Sequence, residues 1–219
     1  MIRVALVTEN NAVDGVIFVD LVKLMGLNIE PWSPSARPFP GLPAIWRNLA
    51  AYLQTAEDDG VEHALVAIDN DGGARRNPPH QADHVVDDFA DDWNAACRVC
   101  RLRKFLPPAW NEGSRRSCLV VCMQTIETWL LVLKGHAFSN ARRVPERDYG
   151  RDAMKKAFWG DELGAGDQER VALARTLLAR HDALALLGQR PSFMSFVEQI
   201  EAWKPVRPAV GAPTGQSEP

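Results

Sequence analysis

Four acidic side chains follow predicted β-strands, and their chemistry points to a metal ion. They are Glu9, Asp69, Asp71 and Glu127, and the apolar runs before them cover residues 4–7, 64–68 and 118–122. Because sites in open α/β sheets assemble at the carboxyl ends of parallel strands, we expect these carboxylates to lie close together. Crowded carboxylates repel one another unless a proton or a cation lies between them. Mg²⁺ takes such oxygen ligands, often with substrate phosphates, so the sequence predicts a metal site for phosphate chemistry.

Each of these acids also has an ordinary structural explanation. Asp69 and Asp71 lie in Asp-Asn-Asp-Gly-Gly, which is typical of a turn. Their i, i+2 spacing at the end of an extended strand nevertheless points both carboxylates the same way, toward one cation. Glu9 could be an acid before a helix, and Glu127 an exposed helix residue. Glu127 is expected on the first helical turn, however, close to the strand end where the other acids should lie.

The elements that must position these acids alternate between strands and helices. Strands are predicted at about 2–8, 61–68 and 117–123, with one or two short ones in 25–35 or near 142–145. Helices are predicted from about residue 13 and over about 43–57, 82–105, 124–134, 151–159, 167–187 and 191–203. This order predicts an α/β fold with a mostly parallel, Rossmann-like sheet flanked by helices and a helical C-terminal part.

The predicted elements divide the chain into three parts. Residues 1–135 form the α/β core that carries the acids, and residues 136–203 form helices packed on it. Residues 204–219 are rich in Pro, Gly and small polar residues, which predicts a disordered tail. Five prolines within 30–43 predict an extended loop.

Composition limits the class of protein. The 219 residues are 46% hydrophobic, enough for a substantial core, and carry a net charge of −3. That charge argues against a protein that coats nucleic acid through one strongly basic face. The N-terminus lacks the pattern of a signal peptide, and no apolar stretch approaches the ~18 residues of a membrane span. We therefore expect a cytoplasmic protein with no membrane partner and with reduced cysteines.

The four cysteines have two explanations. Cys97-x₂-Cys100 and Cys118-x₃-Cys122 approach the two-pair spacing of structural zinc sites. Periodicity favours the other explanation, because each pair continues an apolar stripe inside a predicted helix or strand. Free cysteines commonly pack as small hydrophobic residues, and zinc ligands usually lie on loops. We therefore predict that these thiols belong to the core.

The acidic motifs resemble the TOPRIM (topoisomerase–primase) superfamily. The likeness is carried by Thr8-Glu9-Asn10, Ile68-Asp69-Asn70-Asp71 and Gln124-Thr125-Ile126-Glu127-Thr128-Trp129-Leu130-Leu131. It extends to Val144-Pro145-Glu146 followed by Lys155-Lys156, and to residues 190–197. It is strongest toward small stand-alone bacterial members, which are similar to nuclease domains of the OLD family and often lie in defence loci. These families usually have Gly after the first Glu, where this chain has Asn10.

The resemblance implies phosphodiester chemistry that depends on Mg²⁺ or Mn²⁺. Asp69 and Asp71 would hold the metal together with Glu127, and Glu9 would be a metal ligand or a general acid/base. Among the basic residues, those expected to meet substrate phosphates are Arg75, Arg76, Lys155 and Lys156, although charge runs of this kind are more often solvated faces.

Three functional hypotheses follow. The first is a metal-dependent nuclease acting on DNA or RNA, with a role in prokaryotic defence implied by the resemblance. The second is a non-catalytic TOPRIM-like subunit that binds an ATPase, a toxin or another defence-system protein. The third keeps the metal but replaces nucleic acid by a nucleotide or a small phosphoester.

Overall fold

The computed structural model describes most of the predicted core. The described residues are 1–32, 39, 41–69, 98–111, 117–122, 125–135, 151–160 and 166–205. Several predictions lie outside them and stay predictions: the site residues Asp71, Arg75 and Arg76, the helix before residue 98, the strand near 142–145 and the tail from residue 206.

Four parallel strands form one sheet. They are β1 (Ile2–Thr8), β2 (Ile29–Trp32), β3 (His63–Asp69) and β4 (Ser117–Cys122), in the order β2-β1-β3-β4. All three strand pairs are parallel. The predicted α/β class with a parallel sheet flanked by helices is confirmed, the arrangement is compatible with a Rossmann-like sheet, and β2 is a short strand in the segment where one was expected.

Helices connect and flank the strands. The described α-helices are α1 (Val16–Leu24), α2 (Leu42–Asp58), α3 (Arg98–Phe105), α4 (Pro108–Asn111), α5 (Glu127–Leu133), α6 (Arg151–Trp159), α7 (Asp167–Leu178), α8 (Ala183–Leu187) and α9 (Pro191–Glu201). A single π-helical turn, Asn11–Gly15, precedes α1. Pro191 starts α9, as predicted, because the first helical position needs no backbone N–H donor.

The sheet lies between two hydrophobic cores. In β3, Leu65 and Ala67 face a core shared with α1, α5 and the C-terminal helices. Ala64, Val66 and Ile68 face a second core, shared with α2 and α3. Strands covered on both faces read as continuous apolar runs, which explains why these strands were recognisable from the sequence.

One predicted helix is interrupted. We predicted a continuous helix over 167–187, but α7 ends at Leu178 and α8 begins at Ala183. The guanidinium of Arg180 donates to both carboxylate oxygens of Asp182 at 2.9 Å and to the carbonyl of Leu133 at 3.2 Å. These contacts lie in the segment that separates the two helices.

Strand β4 is an edge of the sheet in the described part of the chain. The side-chain amide of Gln199 on α9 covers part of that edge. Its Oε1 accepts from the Leu119 N–H at 2.8 Å, and its Nε2 donates to the Leu119 carbonyl at 3.1 Å. One glutamine thus satisfies both backbone groups of an edge residue that would otherwise be available for pairing with another chain.

The cysteines of β4 lie in the core. Cys118 and Cys122 are buried thiols, and burial raises the pKa of the Cys118 thiol. This confirms the prediction of buried core cysteines for this pair, whereas Cys97 and the side chain of Cys100 lie outside the described part. In the described ranges, no helix is long and apolar enough to cross a membrane.

Candidate functional site

The strand order places a topological switch point, where open α/β sheets form a crevice, at the carboxyl ends of the two central strands. From β1 the chain goes first to β2 on one side and then to β3 on the other. The helices that follow, α1 and α2, contact opposite cores. Ligands of open α/β sheets bind at such a switch point, beyond the carboxyl ends of the two central strands. Glu9 and Asp69 lie at this point, because Glu9 follows β1 and Asp69 ends β3.

A direct contact joins these two acids. The backbone N–H of Asp69 donates to Oε1 of Glu9 at 3.0 Å, although the residues are 60 positions apart. Glu9 is half-buried, and Asp69 is 9% exposed. The hydrogen bond holds the Glu9 carboxylate at the end of β3, where its charge raises the pKa of the Asp69 side chain.

A third acid, Asp14, enters from the π-helical turn. Two asparagine side chains fix this turn. Asn10 Oδ1 accepts from the Ala12 N–H at 3.1 Å. Asn11 Oδ1 accepts from the backbone N–H of Thr8 at 3.0 Å and from the Thr8 hydroxyl at 2.6 Å. Single π-turns frequently occur at functional sites. This turn brings Asp14 close enough to Glu9 for the charge of Glu9 to raise the pKa of Asp14.

The fourth acid, Glu127, begins α5 and is buried at 7% exposure. Its Oε1 accepts a hydrogen bond from the indole Nε1 of Trp159 at 2.8 Å. In the part of the chain that is described, its other oxygen, Oε2, and the buried hydroxyl of Thr125 have no hydrogen-bond partner. Glu127 is therefore not the exposed helix residue that the sequence left as an alternative.

The four carboxylates repel one another. Burial, followed by the charges of Glu127 and Glu9, raises the pKa of Asp14 from 3.8 to about 7, although Lys155 and a backbone hydrogen bond from Asn10 oppose the shift. Burial, followed by the charges of Asp14, Glu127 and Glu9, raises the pKa of Asp69 well above its usual range. Such a cluster holds protons or a cation at neutral pH.

One lysine partly balances this charge. Lys155 Nζ on α6 lies 3.9 Å from Oδ2 of Asp69, and the Lys155 side chain is 26% exposed. Its charge lowers the pKa of Asp14 and Asp69. Lys156, which the sequence placed beside it as an equal candidate, is exposed to solvent.

The donor set fits a hard divalent cation. Carboxylate oxygens are the ligands that Mg²⁺ prefers, and the buried Oε2 of Glu127 needs a partner. Within the described ranges, no group of three or more His, Cys, Asp or Glu side chains is arranged closely enough to hold a metal ion. The charges of these acids therefore affect one another, but the acids do not form a closed set of metal ligands. Asp71 lies outside the described residues.

The sequence and the structure agree on part of the site. Of the predicted acids, Glu9, Asp69 and Glu127 lie together with Lys155, while their catalytic and metal-binding roles stay predictions. Sequence reasoning missed Asp14 and Trp159. Asp14 could have been found from the Asn10-Asn11 pair directly after β1, because asparagines there favour an irregular turn. The sequence pattern indicates only that Trp159 is an aromatic residue of the core. Nothing in the sequence indicates that it donates a hydrogen bond to Glu127.

The fold and the site together define an α/β protein with a parallel sheet and an acidic crevice at its β1/β3 switch point. Comparison with protein-family models, curated proteins and solved structures finds no match to this chain.

Proposed function

We propose that this chain is a Mg²⁺- or Mn²⁺-dependent nuclease with a TOPRIM-like α/β fold. One observation carries the proposal: the hydrogen bond from the Asp69 N–H to Glu9 Oε1 joins two acid-bearing strand ends at the switch point. Asp14 and Glu127 lie within electrostatic range of both Asp69 and each other. A crowded acidic site of this kind is suited to a cation that meets phosphate groups.

The metal-holding groups would come from Asp69, Asp71, Glu9 and Oε2 of Glu127, and the described acids among them would have to draw closer around the ion, since they form no closed ligand set without it. A bound Mg²⁺ would activate a water molecule and neutralise charge that develops at phosphorus. The protein supplies the rigid frame. β1 and β3 fix the positions of Glu9 and Asp69, and Trp159 fixes one oxygen of Glu127.

Asp14 and Lys155 have different tasks in this proposal. The pKa of Asp14 is about 7, so its carboxyl can gain or lose a proton near neutral pH, as a general acid or base must. Lys155 is the cation next to Asp69, and a phosphate drawn into the crevice would meet its ammonium group. Lys156, exposed on the same helix, has no comparable position.

The backbone at Asn10 is compatible with the TOPRIM resemblance. Related families usually have Gly there, but Asn10 has φ −138° and ψ 92°, an extended conformation that any residue adopts. Its side chain caps the turn that carries Asp14. Asn10 thus requires no glycine conformation, and its side chain helps to form the turn that carries Asp14.

A cleavage assay tests the proposal. Purified protein is incubated with single-stranded DNA, double-stranded DNA and RNA in the presence of Mg²⁺ or Mn²⁺, and with EDTA as the metal-free control. We expect metal-dependent cleavage of at least one nucleic acid. Asp69→Asn should reduce it by roughly 100-fold or more, because it replaces a charged ligand by a neutral amide. Asp20→Asn is the matched control, since Asp20 pairs with Arg175 on the α1 surface.

The other hypotheses predict different outcomes. Hydrolysis of nucleotides or bis(p-nitrophenyl) phosphate without cleavage of any nucleic acid would favour the small-phosphoester enzyme. Absence of hydrolysis of all these substrates, together with no Mn²⁺ binding by calorimetry, would contradict the proposal and favour the non-catalytic subunit. Equal activity of Asp69→Asn and wild type would show that the crevice is not the active site.

A further inference from the structure

The last turn of α6 contacts α5 at both ends of the shorter helix. At the start of α5, Glu127 Oε1 accepts the indole N–H of Trp159. At its end, Lys134 Nζ donates to the carbonyl of Phe158 at 2.9 Å and lies 5.5 Å from the centre of the Phe158 ring. Neighbouring residues of α6 therefore secure both ends of the helix that carries Glu127.

The indole of Trp159 is itself held in place. The Phe158 ring packs edge-on against it, with ring centroids 4.4 Å apart and an interplanar angle of 77°. From α7, the guanidinium of Arg170 lies 5.4 Å from the centre of the indole ring. Trp159 is 4% exposed. Side chains that are packed on several sides have little rotational freedom, so the direction of the N–H is fixed by the core.

The fixed N–H determines which oxygen of Glu127 is available. One hydrogen bond occupies Oε1, and Oε2 is buried without a partner in the described part of the chain. A buried carboxylate oxygen left unpaired is unfavourable, so Oε2 calls for a partner such as a water molecule or a cation. The arrangement resembles metal sites in which an outer hydrogen-bond donor orients a ligand carboxylate.

The spacing on α6 links this contact to the rest of the cluster. Lys155 and Trp159 are four residues apart, so they lie on the same face of the helix. Lys155 approaches Asp69 while Trp159 binds Glu127. One helix thus delivers a cation and a hydrogen-bond donor to two different acids of the crevice.

We propose that Trp159 is a positioning residue, whose indole N–H holds the Glu127 carboxylate with Oε2 presented for a divalent cation. The inference rests on the proposed function, because it assigns the task of Trp159 within the same metal site. A purely structural alternative is that the hydrogen bond only satisfies a buried carboxylate oxygen.

The chain offers a closely matched control. Trp129 is also a buried tryptophan of the same core, and its Nε1 donates to Ser192 Oγ at 2.9 Å. Trp159→Phe and Trp129→Phe each remove one indole donor and keep an aromatic ring. Only the first removes a partner of an acid in the crevice, so both should lower the melting temperature but only one should affect metal binding.

The test is Mn²⁺ binding to the substrate-free protein, measured by calorimetry. Trp159→Phe should weaken binding by roughly 10- to 100-fold, as loss of an outer-shell partner does elsewhere. Trp129→Phe should bind as wild type does. Wild-type affinity in Trp159→Phe would overturn the positioning role while leaving the proposed function standing. A wild-type protein that binds no Mn²⁺ would overturn both.

A second measurement needs no variant and therefore does not depend on the folding of Trp159→Phe. In the ¹H–¹⁵N spectrum of wild type, the indole signal of Trp159 is identified by its through-space contacts with the Phe158 ring. Titration with Mg²⁺ should shift this signal and leave that of Trp129 in place. An unmoved Trp159 signal at saturating Mg²⁺ would contradict the inference.

Discussion

The backbone N–H of Asp69 donates a hydrogen bond to Oε1 of Glu9 across 3.0 Å, at the point where β1 and β3 end side by side. The contact fixes the Glu9 carboxylate, which follows β1, against the backbone at the end of β3. Asp14 and Glu127 add two further charges, and burial, followed by repulsion among these acids, raises the pKa of both Asp14 and Asp69. Proton and metal binding should therefore compete at this site.

Asp14 should make the metal-free fold less stable as the pH rises. The pKa of Asp14 is about 7 in the folded chain against an ordinary 3.8, so the folded state holds this proton more tightly than the unfolded state does. The contribution of Asp14 to the stability of the fold is complete at pH values below 3.8. It is lost as the pH rises through about 7. Asp14→Asn carries no such charge, so its melting temperature should rise relative to wild type across that range.

The measurement is thermal unfolding by circular dichroism in EDTA at several pH values between the two pKa values. Asp20→Asn serves as the control, because it removes a carboxylate of α1 that pairs with Arg175 outside the acid cluster. The difference in melting temperature between Asp20→Asn and wild type should stay nearly constant across these pH values. Parallel curves for Asp14→Asn and wild type would show that the pKa of Asp14 is not raised in the folded chain.

Mg²⁺ should stabilise the protein more strongly at high pH than at low pH. Metal ligands must be deprotonated, so a cation has to displace the protons that Asp14 and Asp69 hold in acidic solution. A ligand that binds only the folded state raises the melting temperature according to its affinity. The shift produced by a fixed Mg²⁺ concentration should therefore be larger at about pH 8 than at about pH 5.

Differential scanning fluorimetry at matched ionic strength gives this comparison directly. Asp69→Asn should show a reduced shift at both pH values, because one of the predicted ligands has been neutralised. Equal shifts of the wild-type melting temperature at both pH values would indicate that Mg²⁺ binds elsewhere.

The two neighbouring lysines of α6 should behave differently. Lys155 lies 3.9 Å from Asp69 and lowers the pKa of both Asp14 and Asp69, whereas Lys156 is exposed. Lys155→Met should reduce cleavage by roughly 10- to 100-fold, the loss typical of one charged contact. The part of the pH–rate profile in which the rate rises with pH should also move to higher pH, because Asp14 and Asp69 ionise less readily without Lys155.

Lys156→Met is the internal control and should keep activity within about twofold, as expected for an exposed charge. Steady-state rates over a range of pH values provide both readouts. Equal losses in the two variants would mean that α6 contributes a diffuse positive surface and that Lys155 has no particular role in the crevice.

Gln199 should stabilise the fold through the edge of the sheet. Its amide pairs with both backbone groups of Leu119, so Gln199→Ala leaves a donor and an acceptor of β4 without these partners. We expect a loss of about 1–3 kcal/mol in the free energy of unfolding. Glu198→Ala, at the exposed neighbouring position, should change it by less than about 0.5 kcal/mol.

Urea unfolding of both variants provides the comparison, and size-exclusion chromatography shows whether the uncovered edge promotes self-association. Identical unfolding midpoints for Gln199→Ala and wild type would mean that water replaces the amide at no cost.

The parts of the fold that follow from local patterns were predictable. β1, β3 and β4 are buried on both faces, so each is a continuous apolar run bounded by turn residues. Parallel strands place their carboxyl ends at one edge, which is why Glu9 and Asp69 were expected together. The break between α7 and α8 was not predictable, because it depends on Arg180 reaching Leu133, 47 residues away.

The two site residues that were not predicted, Asp14 and Trp159, also depend on features that local sequence patterns do not show. Asp14 is brought into the crevice by a π-turn, whose extra residue per turn is absent from a regular helical pattern. Trp159 matters through one N–H, whereas sequence patterns register only its apolar ring. Asymmetry between Lys155 and Lys156 likewise appears only when α6 is packed against α5 and Lys155 approaches Asp69 at the end of β3.

The most direct test of the central claim is anomalous diffraction from a crystal soaked in Mn²⁺. We predict a peak in the crevice at the ends of β1 and β3, coordinated by Asp69 and by at least one of Glu9, Glu127 Oε2 and Asp71. A soaked crystal with no peak there, or with its peak at an unrelated surface carboxylate, would contradict a metal-dependent active site at the β1/β3 switch point.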